Sequence, residues 1–213
     1  MVRIAVRYAI MILGFFVIAI GIVMTVQAGM GPAPWDVLHV GISRTTGIPL
    51  GRIIVYTGLV VIIVGLSIRV RPTLCTILNM LLIGTFVDLI SAAARIETPE
   101  AAIGRLALLA AGIVISGLGE GIYLGTGAGA GPRDGFMLGL VRLTRKRIWL
   151  VQTVIEVTVV LAGYLLGSPP GVGTVIFALT IGYFVETFLR ILTPFISRFT
   201  GRARGPADSP VPL

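Results

Sequence analysis

Charged residues are scarce in this chain, and their scarcity argues against an ordinary soluble domain. Only 12% of the 213 residues are Asp, Glu, Lys or Arg, whereas a soluble domain carries about 25%. Hydrophobic residues make up 56% of the chain, and the mean hydropathy is +1.02. The apolar runs recur at lengths near the ~20 residues that are needed to cross a bilayer. The composition therefore indicates a polytopic membrane protein without a separate soluble domain.

Cysteine and histidine are almost absent as well. The single cysteine, Cys75, excludes an internal disulfide, and we expect it to have a packing role. The lone His39 is expected to be structural. No Ser/His pair, zinc-ligand cluster or nucleotide-binding loop is present. We therefore expect a protein that is not an enzyme, with no catalytic residues, metal or cofactor.

Six apolar segments are predicted to span the membrane, at 8–28, 52–68, 73–93, 104–126, 148–166 and 172–192. The first follows Arg3 and Arg7, as the core of a secretory signal does. Its apolar run is longer than a typical leader core, however, and it has a counterpart later in the chain. We therefore expect the first segment to remain as a membrane span.

The basic residues are divided unequally between the two sides of the predicted membrane. With the N-terminus inside, 13 of the 17 Lys and Arg residues are cytoplasmic, and only Arg44, Arg52, Arg95 and Arg105 are outside. This distribution follows the positive-inside rule and predicts that both termini are cytoplasmic. Loops that face anionic headgroups account for the net charge of +8. The lipid bilayer is thus the expected partner, and nucleic acid is not.

The chain matches itself without a gap when it is shifted by 98 residues. Between residues 8–93 and 106–191, 19 of 86 aligned positions are identical. The identities are concentrated in Gly, Pro and Asp, which determine backbone shape, so the two halves are predicted to share one backbone. In a membrane chain, a doubled backbone is typical of transporter folds.

Each repeat holds three predicted spans, and this odd number reverses the orientation of the second copy. The halves are therefore predicted to be related by a pseudo-two-fold axis in the membrane plane. The predicted organisation is a first repeat at 1–95, an external linker at 96–105, a second repeat at 106–195 and a disordered cytoplasmic tail at 196–213. The predicted fold class is all-α.

A Gly/Pro-rich stretch after the first span of each repeat leads into a short apolar helix. These helices are predicted at 36–45 and 134–144, each with an Asp as N-cap. We interpret them as re-entrant half-helices whose N-termini meet near mid-membrane, where free N–H groups attract an anionic group. The predicted substrate-binding residues are Gly29, Gly31, Pro34, Asp36, Gly127, Gly129, Pro132, Arg133 and Asp134.

Acidic residues inside the spans require an explanation, because a charge in lipid costs several kcal/mol. Glu156, Glu120 and Asp88 are the candidates for coupling to a proton or cation. Glu186 is the repeat partner of Asp88, and we expect it to pair with Arg190 on the same helix face.

Each of these features also has a structural alternative. The two short helices would be simple connectors if they lay flat at the membrane surface. Glu156 would be a packing acid if it only bonded Gln152, and Glu120 would be structural if it paired with Arg133.

The paired Gly-x-Gly-x-x-Pro-x-Asp elements, with the segments at 75–79, 83–88 and 171–174, resemble the YczE/YyaS/YitT group of bacterial membrane proteins. The YczE-like branch is the most similar, and the resemblance extends to about residue 195. It implies a multi-pass protein of the bacterial plasma membrane and names no substrate. Arg133 stands where the first copy has Trp35, which argues against a role that requires strict symmetry.

The repeat and the paired half-helices favour a secondary transporter of a small polar solute, anionic or zwitterionic. A non-transporting scaffold, or an accessory or sensing subunit, is the alternative. A channel shares this architecture, and a homodimer also remains open. A transporter predicts a polar cavity that reaches Asp36, Asp134 and Glu156, whereas a scaffold predicts a solid interior.

Overall fold

The computed structural model describes residues 2–94 and 96–200, and this part of the chain forms helices joined by short loops. The eight helices are α1 Val2–Gln27, α2 Pro34–Thr46, α3 Leu50–Ser67, α4 Leu74–Ala94, α5 Ala102–Gly125, α6 Pro132–Thr144, α7 Ile148–Leu165 and α8 Val172–Thr200. All except α2 and α6 are long and apolar enough to cross a membrane. The all-α class is confirmed for this part of the chain, and the six candidate membrane helices correspond to the six predicted spans.

Several boundaries differ from the prediction, and those of α8, α2 and α6 bear on the site. The helix α8 continues through Pro194 to Thr200, so residues 196–200 of the predicted disordered tail are helical, and residues 201–213 lie outside the described part. The helices α2 and α6 begin two residues earlier than predicted, at Pro34 and Pro132. Proline is well suited to a first helical position, because its φ is already helical and its missing N–H would have had no helical partner.

The two halves share one backbone conformation. The bounds of α2 and α6, and those of α3 and α7, coincide after a shift of 98 residues. Left-handed residues also recur at this spacing within the described chain, in the pairs Gly29 and Gly127, Gly31 and Gly129, Gly47 and Arg145, and Arg69 and Gly167. The duplicated pattern in the sequence thus corresponds to a duplicated path of the chain.

The helices α1 and α5 cross at the centre of the molecule through glycines. A Cβ on Gly14 would lie 2.9 Å from the carbonyl oxygen of Gly119, and a Cβ on Gly21 would lie 2.8 Å from that of Gly112. Between apolar helices in lipid there is little hydrophobic drive, so close backbone packing at small residues stabilises the contact. Because Gly14 meets Gly119 while Gly21 meets Gly112, the two helices run antiparallel.

The long helices α4 and α8 pack within their own halves, whereas the short helices α2 and α6 pack on the other half. The helix α4 packs on α1 and α8 packs on α5, which keeps each pair within its own half. The short helix α2 instead packs on α7, and the short helix α6 packs on α3. Each half therefore supplies the short helix that covers a long helix of the other half.

One seam between long helices is closed and its repeat equivalent is not. The helix α3 lies against α4, where Gly51 and Gly84 approach each other closely and the N–H of Gly51 donates to Asp88 Oδ1 at 2.7 Å. No comparable packing joins α7 to α8. A Cβ on Gly182, the counterpart of Gly84, would meet no atom within 4 Å. The duplicated backbone is thus packed differently in its two halves.

These two glycines provide a matched test of the packing. We expect Gly84→Val to lower the free energy of unfolding by about 1–3 kcal/mol, because added methyl groups would collide with the backbone of α3. Gly182→Val should change it by less than about 0.5 kcal/mol, since that position is open. Thermal unfolding in detergent can be followed with a thiol-reactive dye, because the sole cysteine is buried. Equal shifts for both variants would contradict the proposed difference between the seams.

Candidate functional site

A cavity of about 180 Å³ lies where the starts of α2 and α6 come together. Its walls come from α1, α4, α5, α7 and α8 as well as from the two short helices. The polar lining residues are Trp35, Asp36, Asn79, Ser116, Glu120, Tyr123, Arg133, Asp134, Gln152 and Glu156. The interior is therefore not solid, and the two short helices open onto the same space.

The start of α2 contributes a buried carboxylate. Ala33 is the N-cap, Pro34 is the first helical residue and Asp36 is the third. Asp36 is only 3% exposed, and its Oδ1 lies 3.0 Å from His39 Nδ1 one turn further along the helix. The prediction that Asp36 is an N-cap is wrong, because the proline takes the first helical position and moves the aspartate into the first turn.

The start of α6 repeats this arrangement with different partners. Gly131 is the N-cap and Pro132 is the first helical residue, so the N-cap prediction for Asp134 is wrong for the same reason. Asp134 Oδ2 accepts a hydrogen bond at 2.8 Å from the hydroxyl of Tyr123 on α5. No side chain caps either short helix. The first-turn N–H groups are therefore left for water or a ligand at the end of the helix where the cavity lies.

Arg133 brings the cavity its cationic group. Its guanidinium carbon lies 5.5 Å from the centre of the Trp35 ring, a cation–π distance. Arg133 and Trp35 occupy equivalent positions in the two repeats, so the two helix starts face each other directly. The predicted difference between the halves, Arg133 in place of Trp35, thus lies where the two short helices meet.

Two glutamates complete the charged lining. Glu156 lies at the middle of α7, and its Oε1 accepts a hydrogen bond at 3.0 Å from Gln152 Nε2 on the preceding turn. Glu120 of α5 forms no ion pair with Arg133 within residues 2–94 and 96–200. Ser116, one turn before Glu120, has a buried hydroxyl without a partner. Its hydroxyl lies against Gly21 in the close contact of α1 and α5, so Glu120 is the polar group in this wall that a ligand could engage.

Some predicted site residues lie away from the cavity. The glycines Gly29, Gly31, Gly127 and Gly129 are left-handed turns that lead into the short helices, and they do not line it. Gly31 packs on Gly171, and Gly129 packs on Thr73. These glycines shape the entry loops, because only glycine adopts such φ values at no steric cost.

The repeat partners Asp88 of α4 and Glu186 of α8 also lie away from the cavity. Asp88 accepts the N–H of Gly51 at the start of α3, so it serves a helix terminus. Glu186 pairs with Arg190 on the surface, as expected. A coupling role for Asp88 stays a prediction that its position does not favour.

Several lining residues were not among the predicted site residues, and they differ in how visible they are in the sequence. Asn79 and Gln152 are polar residues inside predicted spans, which is a signal in itself. Ser116 and Tyr123 give no such signal, because Ser and Tyr are common in membrane helices. Among the described residues, no group of three His, Cys, Asp or Glu side chains is arranged to hold a metal ion.

Comparisons with known proteins agree with this architecture. Residues 5–190 match the model of a family of unknown function, DUF6198. An uncharacterized protein of Haemophilus influenzae is 34% identical over 86% of this chain and 84% of its own length. The uncharacterized membrane protein YczE of Bacillus subtilis is 30% identical over 83% of this chain and 82% of its own. The uncharacterized protein YyaS of the same organism is 25% identical over 84% and 90%.

The resemblance to the YczE and YyaS group is therefore confirmed, together with the membrane character of the chain. No solved structure matches this chain.

Neighbouring residues on α8 allow a test of whether the cavity is wet. In a Cys75→Ser background, we expect Ala178→Cys to react with a water-soluble thiol reagent in membrane vesicles, because Ala178 lines the cavity. Leu179→Cys should react little, since Leu179 is 78% exposed on the outer surface of α8, where lipid is expected to cover it. The measurement is the labelled fraction after a fixed time. Labelling of position 179 but not 178 would contradict the cavity.

Proposed function

The chain belongs to the DUF6198 family, whose function is unknown, and from the cavity we propose that it is a secondary transporter of a small polar solute across the bacterial plasma membrane. The observation that carries the proposal is the shared space at the starts of α2 and α6, lined by four carboxyl groups and one guanidinium. A polar cavity between short helix starts is the usual substrate site of transporters with doubled backbones. A scaffold would have no need for it.

The crossing of α1 and α5 supports an inverted relation between the halves. A two-fold axis that relates two antiparallel helices must lie perpendicular to them. The reciprocal contacts of Gly14 with Gly119 and of Gly21 with Gly112 are those that such an axis generates. Because α1 and α5 cross the membrane in this proposal, the axis lies in the membrane plane. The positive-inside rule then favours cytoplasmic termini.

The depth of the short helices supports re-entry. A Cβ on Gly131, the N-cap of α6, would lie 3.1 Å from Asn79 Oδ1. Asn79 is the sixth residue of α4, about 8 Å along that helix at 1.5 Å per residue. In the other half, Phe177, the counterpart of Asn79, lines the cavity together with Ala33, the N-cap of α2. Helices lying flat on opposite surfaces would not share such neighbours.

The unequal seams support alternating access. The helix α3 is closed on α4, while α7 stands apart from α8, and the cavity residues Glu156 and Ala178 belong to that second pair. Their repeat counterparts, Gly58 and Met80, are in contact. Exchanging these two packing modes between the halves would open the cavity to the other side of the membrane.

The charges in the cavity favour a zwitterionic solute over a simple anion. The guanidinium of Arg133 and the first-turn N–H groups suit a carboxylate or phosphate. Glu120 suits an ammonium group on the same molecule. A solute with both charges would place an opposite charge beside each of these groups, whereas an anion alone would add a further negative charge to the excess of carboxylates. Glu156 is the proposed coupling acid, because it lies at the middle of a span and lines the cavity.

A conservative substitution tests the coupling role of Glu156. We expect Glu156→Gln to lower concentrative uptake of the active solute at least about tenfold in reconstituted vesicles under a proton gradient. Solute exchange without a gradient should persist. The amide can keep the hydrogen bond to Gln152, so a loss would report the missing charge and not the missing contact. The solute is first identified with a panel of amino acids, amines and carboxylates.

Glu186→Gln is the control for this experiment, because Glu186 pairs with Arg190 on the surface, outside the cavity. It should transport like the wild type. Unchanged gradient-driven uptake in Glu156→Gln would remove the coupling role.

Paired cysteines distinguish a transporter from a static scaffold. A Cβ on Gly58 would lie 3.3 Å from the Cβ of Met80, close to the separation in disulfides. In a Cys75→Ser background, we expect Gly58→Cys with Met80→Cys to cross-link on oxidation in membranes. The equivalent pair, Glu156→Cys with Ala178→Cys, should also cross-link, but more slowly, because it forms only in the exchanged arrangement. Gel mobility measures both, and failure of the second pair to cross-link would favour the scaffold.

A further inference from the structure

A second cavity, of about 560 Å³, lies between α3 and α6 and adjoins the charged cavity at Gly131 and Pro132. Its walls are apolar and include Val61 and Ile62 of α3 and Leu138 and Val141 of α6. It reaches from the loop between α3 and α4 to Pro132 at the start of α6. The space is thus a groove between membrane helices, long enough to hold more than a small ion.

Three arginines and no acids line this groove. Arg69 and Arg71 come from the loop between α3 and α4, and Arg142 comes from the last turns of α6. All three are exposed, and none of their guanidinium groups forms an ion pair or hydrogen bond within the part of the chain that the structure describes. Unpaired guanidinium groups above an apolar groove suit a ligand that has an anionic head and an apolar tail.

The groove exists at only one of the two places that the repeat makes equivalent. In the equivalent seam between α2 and α7, a Cβ on Gly41 would lie 2.8 Å from the carbonyl oxygen of Gly163, so the two helices are in close contact. In the groove, their counterparts Gly139 and Gly65 are separated, and both face Val70. Wider spacing between α3 and α6 therefore leaves room that the other half does not have.

The arginines follow the same asymmetry. Arg69 and Arg71 stand where the second repeat has Gly167 and Pro169, and only Arg142 has a basic counterpart, Arg44. Arg69 also adopts a left-handed φ of 61°, a conformation that glycine adopts far more easily. The cluster of three arginines and the wider helix spacing thus occur together between α3 and α6, and neither occurs between α2 and α7.

We propose that the groove between α3 and α6 is a binding site for an anionic phospholipid, with its phosphate held by Arg69, Arg71 and Arg142 and an acyl chain along the apolar wall. Basic pockets between membrane helices hold anionic headgroups in this way. The apolar walls favour a lipid over free phosphate, since an ion would have no contact with them. This site does not depend on whether the protein transports a solute.

Native mass spectrometry of the purified full chain in detergent tests the proposal with added phosphatidylglycerol and phosphatidylcholine. The wild type should retain phosphatidylglycerol at least about tenfold more than phosphatidylcholine. The combined variant Arg69→Gln, Arg71→Gln and Arg142→Gln should lose this preference. The control, Arg44→Gln with Arg52→Gln and Arg105→Gln, removes the same charge elsewhere and should keep it.

Two further variants keep the test decisive if the triple variant does not fold. Arg142→Gln and Arg44→Gln occupy equivalent positions, and only the first should weaken retention of phosphatidylglycerol. Gly135→Leu would fill the groove without changing charge, because a Cβ there would have only Val70 nearby, at 3.6 Å. It should reduce retention of both lipids.

Three results would overturn the proposal. One is wild-type retention of phosphatidylglycerol by the triple variant. Another is equal retention of the two lipids by the wild type. The third is complete displacement of the lipid by millimolar inorganic phosphate, which would indicate a site for free anions.

Discussion

The close antiparallel contact between α1 and α5 is the interaction on which the rest of the structure depends. Four glycines allow the two backbones to approach until carbonyl oxygens lie where side chains would otherwise be. Because α4 packs on α1 and α8 packs on α5, this one crossing sets the distance between the halves. The short helices are thereby brought together from the two repeats, and the cavity between their starts follows from that distance.

The cavity also shows how charge is maintained inside an apolar molecule. Asp36 has His39 as its partner, Asp134 has Tyr123, and Arg133 lies over Trp35. Of the three charged groups only Asp36 is buried, and its contact with His39 offsets part of a burial cost of several kcal/mol. Glu120 has no ion-pair partner among the described residues and remains for a ligand. The lining therefore combines a held framework with an available acidic group.

The duplicated backbone is symmetric, but its side chains and packing are not. The seam of α3 with α4 is closed and that of α7 with α8 is open, while the groove of α3 with α6 is wider than the seam of α2 with α7. The helix α3 thus packs on α4 and is spaced from α6, whereas its counterpart α7 packs on α2 and is spaced from α8. Two packing modes of nearly equal energy are what a molecule with two states requires. In the proposed transporter, the exchange of these two packing arrangements between the halves alternates access to the cavity.

Much of the fold could be predicted from the sequence, because its determinants are local. Apolar runs of span length predict the helices, and Gly, Pro and Asp at matching positions predict the doubled backbone. The same local reasoning was wrong about Asp36 and Asp134 as N-caps, since Pro34 and Pro132 compete for the helix start. Charged residues that stand out in the apolar sequence, such as Arg133 and Glu156, could also be named as candidate site residues.

The neighbours of those residues were decided by tertiary structure alone. Asp88 and Glu120 look alike in sequence as acids within spans, yet Asp88 bonds a helix terminus and Glu120 lines the cavity. The contacts of Tyr123 with Asp134 and of Trp35 with Arg133 depend on how helices cross, and no local pattern encodes a crossing. The sequence by itself determined the helices, their repetition and their membrane character, because these depend on each residue's own hydrophobicity and backbone preference. Only packing between helices, which depends on the shapes of distant surfaces, decided which polar groups share a space and which of two equivalent seams is open.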